Sequence, residues 1–152
     1  MDRGADDQKE IEHVAFSAVD LAQATAFRIS PKDTNYFVML FDQETDRIDN
    51  VFVIEIFKVG GATPPNEHSG AHEFFHVLHG EGVAHCDGKT VAIKKGDSLL
   101  LHPGSEHVIE NTGTGKLYTL TVMTPNEDFA ELIRGGERVE LEADDIRILQ
   151  GQ

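Results

Sequence analysis

The stretch that decides the fold is GGATPPNEHSGAHEFFHVLHG, residues 60–80, which leads from a proline-stiffened loop into a strand. In an extended chain successive side chains point to opposite faces, so Glu73, Phe75 and Val77 share one face and His72 lies on the other. A carboxylate on a buried strand face costs much free energy unless a positive group satisfies it. If this face is buried, the sequence therefore predicts a positive partner for Glu73.

The sequence around this stretch is typical of short strands separated by turns. Residues 36–41 and 51–57 are runs of aromatic and β-branched residues of strand length. Asp87 and Gly88 stand between two further runs and give a strong signal for a two-residue hairpin turn. With about seven or eight such strands and turns roughly every ten residues, the pattern predicts an all-β sandwich or barrel.

Three segments of the chain differ in composition. Residues 1–34 are polar and weakly patterned, and we expect them to form an N-terminal arm. The strand-like runs fill residues 35–124, which we expect to form the barrel. Residues 125–152 are predicted to be a C-terminal helical tail, in which Asn126 is a suitable N-cap for a first short helix and residues 142–149 form a second.

The size and charge of the chain exclude several classes of protein. It has 152 residues, about one ordinary domain. Its 13 Lys and Arg against 27 Asp and Glu give a net charge of −14, which disfavours a nucleic-acid partner because a phosphate backbone is also negative. The sequence contains no apolar stretch of about 20 residues and no signal-peptide pattern. We therefore expect a soluble cytoplasmic protein with no nucleic-acid or membrane partner.

The histidines are concentrated in one part of the sequence, since seven of the eight lie within residues 68–107. A single strand histidine is usually a surface residue, but such a group with a carboxylate indicates a metal site, because both side chains suit first-row divalent metals. If the barrel turns His68, Glu73 and His107 inward, they form a two-histidine, one-carboxylate set. Such a set has positions open for water or substrate.

Two spaced motifs resemble those of the cupin superfamily. The first consists of Gly60, Asn66, His68, Glu73 and Gly80, and the second of Gly96, His102, Gly104, His107 and Asn111, both close to the family's spacing. The resemblance implies a double-stranded β-helix, also called a jelly-roll barrel, with a metal ion inside. Matched by position, His68, Glu73 and His107 correspond to the family's metal ligands. The ion would be one divalent first-row transition metal: Fe, Mn, Zn or Ni.

The motifs depart from the family pattern at two positions. Asn66 stands where the family has its first histidine, so it is a candidate fourth ligand or substrate contact, or it leaves that place to water. His102 replaces the family's proline and is interpreted as an exposed turn residue. The register leaves one alternative, because a shift of one residue would turn His72 inward instead of Glu73. Counting back from Gly80 favours Glu73.

Glu55 interrupts the otherwise apolar run at residues 51–57. We interpret it as an outward-facing carboxylate on an edge strand, with a general base or substrate contact inside the barrel as the alternative. The single cysteine, Cys86, excludes an intrachain disulfide and lies beside the predicted hairpin turn, away from the expected site.

These observations indicate a metalloenzyme acting on a small molecule, such as a non-haem dioxygenase or a metal-assisted isomerase, lyase or hydrolase. Two alternatives stay open. One is a non-catalytic cupin that binds a metal or small molecule as a sensor. The other is a metal-free cupin similar to the sugar epimerases, with a histidine as general base. Small cupins commonly dimerise, so the resemblance also implies a homodimer.

Overall fold

The fold consists of ten strands and three short helices in the computed structural model, which describes residues 14–152. The strands are β1 (Ala26–Arg28), β2 (Asn35–Phe41), β3 (Val51–Phe57), β4 (His72–His79), β5 (Glu81–Cys86), β6 (Lys89–Lys94), β7 (Ser98–Leu101), β8 (His107–Asn111), β9 (Leu117–Thr124) and β10 (Glu137–Val139). The helices are α1 (Gln43–Asp46), α2 (Phe129–Arg134) and α3 (Ala143–Leu149), and a single 3-10 turn covers Leu21–Gln23. The first part of the predicted N-terminal arm, residues 1–13, lies outside the described residues.

The strands form two antiparallel sheets. The larger sheet has the order β10-β1-β2-β3-β9-β4-β7, and the smaller one has the order β6-β5-β8. Neighbours in sequence are often not neighbours in the sheet: β3 pairs with β9, and β9 in turn pairs with β4. The all-β prediction is confirmed. Within residues 14–152, no helix combines the length and apolar character that a membrane crossing needs.

Strand β4 shows the alternation that its sequence predicts. Glu73, Phe75 and Val77 are buried, whereas His72 and His76 on the opposite face are partly exposed. Glu73 therefore faces the interior, and the alternative register with His72 inside is wrong. The partners fix this register, because β4 is hydrogen-bonded to β7 on one side and to β9 on the other.

The core lies between the two sheets and continues under α2. Phe57, Phe75 and Val77 from the larger sheet pack with Ala84 and Ile109 from the smaller one. A second cluster joins the other end of the larger sheet to α2, where the rings of Phe37 and Phe129 meet edge to face with centroids 5.7 Å apart. Burying one such aromatic ring contributes about 1.5–3 kcal/mol, so α2 is held mainly by its apolar face.

Helix α2 begins later than the sequence predicts. Asp128 is its N-cap residue, and Asp128 and the preceding Glu127 both have left-handed backbone angles. Asn126 is not the N-cap, so that prediction is wrong by two residues. Its side-chain oxygen still accepts the backbone N–H of Ala130 at 2.8 Å, which satisfies a donor that the first helical turn leaves free.

Strands β1 and β10 were not expected from the sequence. Strand β1 lies within the segment assigned to the arm, and β10 lies within the segment assigned to the tail. They pair with each other, and β1 also pairs with β2, so the two segments extend the larger sheet at one edge. The predicted second helix of the tail is present as α3.

A buried carboxylate fixes α3 to the larger sheet. The side chain of Asp145 is fully buried and accepts hydrogen bonds from the hydroxyls of Tyr36 at 2.8 Å and Tyr118 at 2.6 Å. The ammonium of Lys116 lies 3.0 Å from the same carboxylate. Burial by itself raises the pKa of Asp145, but these bonds outweigh it and hold the pKa below its usual range.

We expect the substitution Asp145→Asn to lower the free energy of unfolding by about 1–3 kcal/mol at pH 7, because it removes the charge that Lys116 and both hydroxyls satisfy. A carboxylate whose folded pKa is depressed stabilises the protein above its unfolded pKa of about 3.9. The difference between the two proteins should therefore be full above about pH 5 and shrink as the pH falls below about 4.

Urea unfolding of both proteins between pH 3 and pH 7 measures this difference. Asp144→Asn is the matched control, since the Asp144 side chain is 41% exposed and its contact with Lys116 should be worth no more than about 1 kcal/mol. Equal destabilisation by the two substitutions would show that Asp145 does not anchor α3.

Candidate metal centre

The loop before β4 runs alongside β8, and this pairing builds the site. The backbone N–H of Asn66 donates to the carbonyl of His107 at 3.1 Å, and the N–H of His107 donates back at 2.8 Å. Three residues earlier, the N–H of Thr63 donates to the carbonyl of Ile109 at 2.9 Å. These bonds place the side chains of Asn66 and His68 beside His107, although His68 and His107 are far apart in sequence.

His68, Glu73 and His107 converge inside the barrel. One carboxylate oxygen of Glu73, Oε2, lies 2.8 Å from Nε2 of His68 and 3.1 Å from Nε2 of His107. The two imidazole rings have centroids 5.5 Å apart. The side chains of Glu73 and His107 are only 4% and 3% exposed, so both polar groups lie almost entirely within the barrel.

Within this group, Glu73 and His107 each stabilise the charged form of the other. Burial by itself raises the pKa of Glu73, but hydrogen bonds from His107 and His68 outweigh it and hold the pKa below its usual range. Burial lowers the pKa of the His107 imidazole, but the hydrogen bond to Glu73 outweighs that effect and the net shift is upward. Glu73 is therefore an ionised carboxylate that requires a positive charge beside it.

The donor atoms fit a small divalent cation. His68, Glu73 and His107 each offer one ligand atom, and these atoms all lie within 4.8 Å of one another. Ligand atoms at right angles around an ion with bonds of about 2.1 Å lie about 3.0 Å apart, which matches the separations from Glu73 to the two histidines. Two imidazole nitrogens and a carboxylate oxygen are also the ligand types that first-row metals prefer.

The orientation of His107 suits metal binding as well. Its Nδ1 lies 3.3 Å from the backbone carbonyl oxygen of Ser105 and donates to it, which turns Nε2 toward Glu73. A second hydrogen bond of this kind fixes the tautomer and direction of histidines that bind metals. A proton and a metal ion compete for Nε2, so a bound ion would replace the proton that His107 shares with Glu73.

Asn66 lies at the edge of the same group. Its amide nitrogen is 3.2 Å from Nε2 of His68, the atom that also contacts Glu73. An imidazole nitrogen carries either one proton or one lone pair, so it cannot satisfy both neighbours fully. A metal ion bound to Nε2 of His68 would therefore remove the competition between Asn66 and Glu73 for that nitrogen.

The remaining described histidines lie outside this group. His72 and His102 contact each other with ring centroids 5.2 Å apart, and His102 is exposed as expected. His76 is hydrogen-bonded to Ser98, and His85 is hydrogen-bonded to Thr90 and Glu110.

A pocket of about 190 Å³ opens beside Glu73 and His107. It is smaller than the roughly 300–1,000 Å³ typical of sites for drug-sized ligands, so it suits a small molecule. The lining residues come from the β1–β2 region, β3, the loop before β4, β4 itself, β8 and α2, and comprise Ile29, Asp33, Asn35, Phe37, Glu55, Thr63, Pro64, Pro65, Asn66, Glu73, His107, Phe129 and Leu132.

Glu55 is one of these lining residues, and its interpretation as an outward-facing edge carboxylate is wrong. It is 2% exposed and lies on β3, which is hydrogen-bonded on both sides, to β2 and β9. Its Oε2 accepts the amide N–H of Asn35 at 2.9 Å. Burial and the nearby charge of Glu73 raise the pKa of Glu55 to about 8. Because the sequence of β3 is apolar on both faces, no local pattern shows which face carries Glu55.

Comparison with known proteins places the chain in a family. A family model described as a Cupin domain matches residues 53–123. An oxalate-binding protein from Thermotoga maritima is 42% identical over 64 residues, which cover 42% of this chain and 53% of that protein. An uncharacterized protein from Methanocaldococcus jannaschii is 33% identical over 70 residues, 46% of this chain and 56% of that protein. The chain thus spans about half the length of the curated relatives it matches.

Solved structures agree with this result. A structure described as a predicted oxalate decarboxylase from Thermotoga maritima is 32% identical, with a TM-score of 0.62 and coverage of 70% of this chain and 97% of that one. An RmlC-like cupin from Shewanella frigidimarina is 19% identical, with a TM-score of 0.62 and coverage of 76% and 96%. The chain belongs to the cupin superfamily, and the predicted double-stranded β-helix is confirmed.

The raised pKa of Glu55 gives a testable pH dependence. The unfolded chain releases this proton near pH 4.3 and the folded protein near pH 8, so the free energy of unfolding should fall as the pH rises between about these two values. Glu55→Gln removes the titrating group. We therefore expect the variant to gain stability relative to the wild type as the pH is raised from 5 to 8.5.

Urea unfolding of the chelator-treated proteins at several pH values measures the effect. Glu140→Gln is the control, because Glu140 is exposed and forms no ion pair or side-chain hydrogen bond within the described residues, so the substitution should leave the pH dependence unchanged. Parallel curves for wild type and Glu55→Gln would contradict the assignment of a buried, protonated carboxyl to Glu55.

Proposed function

We propose that this protein binds one first-row divalent metal ion through His68, Glu73 and His107 and acts as a metal-dependent enzyme on a small molecule. The observation that carries the proposal is the convergence of these three side chains beside a pocket that can receive such a molecule. Iron, manganese, zinc and nickel all accept this set of nitrogen and oxygen ligands. Asn66 is the candidate fourth ligand, through its carbonyl oxygen.

The three ligands leave part of the coordination sphere to other molecules. When bound, such a metal supplies a Lewis acid that polarises an oxygen of the substrate and holds it in place. The chain's own residues define the rest of the site. Phe37 and Phe129 give the pocket an apolar wall that excludes water, and Glu55 holds a proton on the same wall.

The relatives support a small ligand that carries oxygen. One of them is named for oxalate binding, and a solved structure is described as a predicted oxalate decarboxylase. Oxalate consists of two carboxylates, and such oxygen-rich molecules chelate divalent metals. The more specific assignments made from the sequence, which are dioxygenase activity, a homodimer and a cytoplasmic location, stay predictions.

Metal titration tests the proposed ligands. We expect the wild type to bind about one equivalent of Zn²⁺ or Mn²⁺, and His68→Ala or His107→Ala to weaken binding by at least about 100-fold, because loss of a direct ligand should exceed the 10–100-fold effect of losing an outer partner. Isothermal titration calorimetry and elemental analysis of the purified proteins provide the measurement.

His72→Ala and His102→Ala are the matched controls, because they remove histidines from the same region that contact each other instead of Glu73. Both variants should bind metal as the wild type does. Retention of wild-type affinity by His68→Ala or His107→Ala would refute the ligand assignment, and a wild type without metal affinity would favour the metal-free alternative.

Turnover tests whether the site is catalytic. We expect the metal-loaded protein to convert at least one class in a panel of hydroxy acids, diketones, catechols and thiols, and a chelator or His107→Ala to reduce the rate at least about 100-fold. Oxygen uptake and product analysis separate a dioxygenase from isomerase, lyase or hydrolase activity. A metal-loaded protein that only gains thermal stability with these compounds is a binding protein, and the enzyme proposal would then be wrong.

A further inference from the structure

Asn35 and Glu55 form a polar pair on the pocket wall formed by β2 and β3. Asn35 is 3% exposed and Glu55 is 2% exposed, and the amide N–H of Asn35 donates to Oε2 of Glu55 at 2.9 Å. Both residues line the pocket that also contains Glu73 and His107. The pair and the candidate metal ligands therefore face the same small volume.

One atom of this pair lacks a partner. Among residues 14–152, no group donates a hydrogen bond to Oδ1 of Asn35, although the atom is buried. Most buried polar atoms in folded proteins are hydrogen-bonded, and an unmatched one lowers stability. A ligand in the pocket that offers a donor to this oxygen would remove the deficit.

The hydrogen-bonding capacity of the Asn35 amide favours a hydroxyl group on the ligand. The side-chain amide of Asn35 can rotate by 180°, which exchanges the positions of its oxygen and its nitrogen. If Glu55 is protonated, the Asn35 oxygen can then accept a hydrogen bond from Glu55, and the Asn35 nitrogen is the atom left without a partner. A hydroxyl both donates and accepts, so it can pair with either the oxygen or the nitrogen of the amide. An ether or a ketone can only accept, and an ammonium can only donate.

The charges of the pocket disfavour a second anionic group on the ligand. Asp33 and Glu73 line it as acidic groups, Glu55 adds a carboxyl that is protonated at pH 7, and none of the lining residues within the described part of the chain is Lys or Arg. A carboxylate at the Asn35 end would be buried without a cation, which is costly. The body of the ligand would contact Phe37 and Phe129, which favours an apolar skeleton.

We propose that Asn35 is the residue that selects the ligand, and that the site takes a small molecule with a metal-binding oxygen group at one end, an apolar body, and an uncharged hydroxyl at the other end. This inference rests on the proposed function, because the metal holds the first end. It adds a recognition element that contacts the ligand away from the ion.

Calorimetry of the Zn²⁺-loaded protein with two sets of matched ligands tests this inference. One set is benzoate, 3- and 4-hydroxybenzoate and the corresponding dicarboxylates, and the other is butanoate, 4-hydroxybutanoate and succinate. In at least one set the hydroxylated compound should bind about tenfold more tightly than its parent, since it satisfies Asn35, and the dicarboxylate should bind more weakly than the parent.

Two variants separate the effect of Asn35 on hydroxyl binding from the effect of the pocket's charge on dicarboxylate binding. Asn35→Leu should abolish the preference for the hydroxylated compound while leaving Zn²⁺ affinity unchanged, and the Zn²⁺ affinity also reports whether the variant is folded. Asp33→Asn is the control, because it removes a charge from the pocket and keeps an oxygen that can accept from the backbone of Ser30. It should keep the hydroxyl preference and bind the dicarboxylate more tightly than the wild type does.

The outcomes distinguish the two proposals. If Zn²⁺ does not bind the wild type, the proposed function is wrong and this inference falls with it. If Zn²⁺ binds but the wild type shows no hydroxyl preference in either set, or binds none of the compounds, this inference alone is wrong. The wild-type comparison decides the matter even if Asn35→Leu does not fold.

Discussion

The ionised carboxylate of Glu73 is the constraint on which the rest of the structure depends. It lies inside the barrel, where a charge without a partner costs several kcal/mol, so a positive group must stand beside it. The histidines that provide this group come from the loop before β4 and from β8 in the smaller sheet. The larger sheet, which carries Glu73, therefore reaches its lowest free energy only when the smaller sheet and the loop close over it.

Of the four buried acids among residues 14–152, three are paired with basic side chains and one is not. Asp42 is paired with Arg134, Asp145 with Lys116, and Glu73 with two histidines. Glu55 is the one buried acid among residues 14–152 whose hydrogen-bond partners are all uncharged, namely Asn35 and Thr121. Two cations, Arg134 and Lys116, thus neutralise buried carboxylates, whereas the carboxyl of Glu55 in the wall of the pocket stays neutral by keeping its proton.

The sequence predicts the parts of the fold and site that depend on local pattern. The period of two on β4 places Glu73 inside, and the spacing of the two motifs selects His68 and His107 from seven neighbouring histidines. The interior position of Glu55 depends on β9, a strand about sixty residues later in the chain, so its surroundings are not a local property. Strands β1 and β10 have three residues each, too few to show a period, and the left-handed backbone of Glu127 and Asp128 delays α2 beyond the cap that Asn126 suggests.

The residues around the pocket come from two different parts of the chain. The candidate metal ligands lie within residues 53–123, the part that the family model matches, whereas Asn35 and the α2 residues Phe129 and Leu132 lie outside it. The proposed metal ligands and the proposed recognition residue Asn35 are thus encoded in separate segments of the chain. Substitutions in the flanking segments can therefore reshape the pocket around Asn35 and α2 without replacing His68, Glu73 or His107.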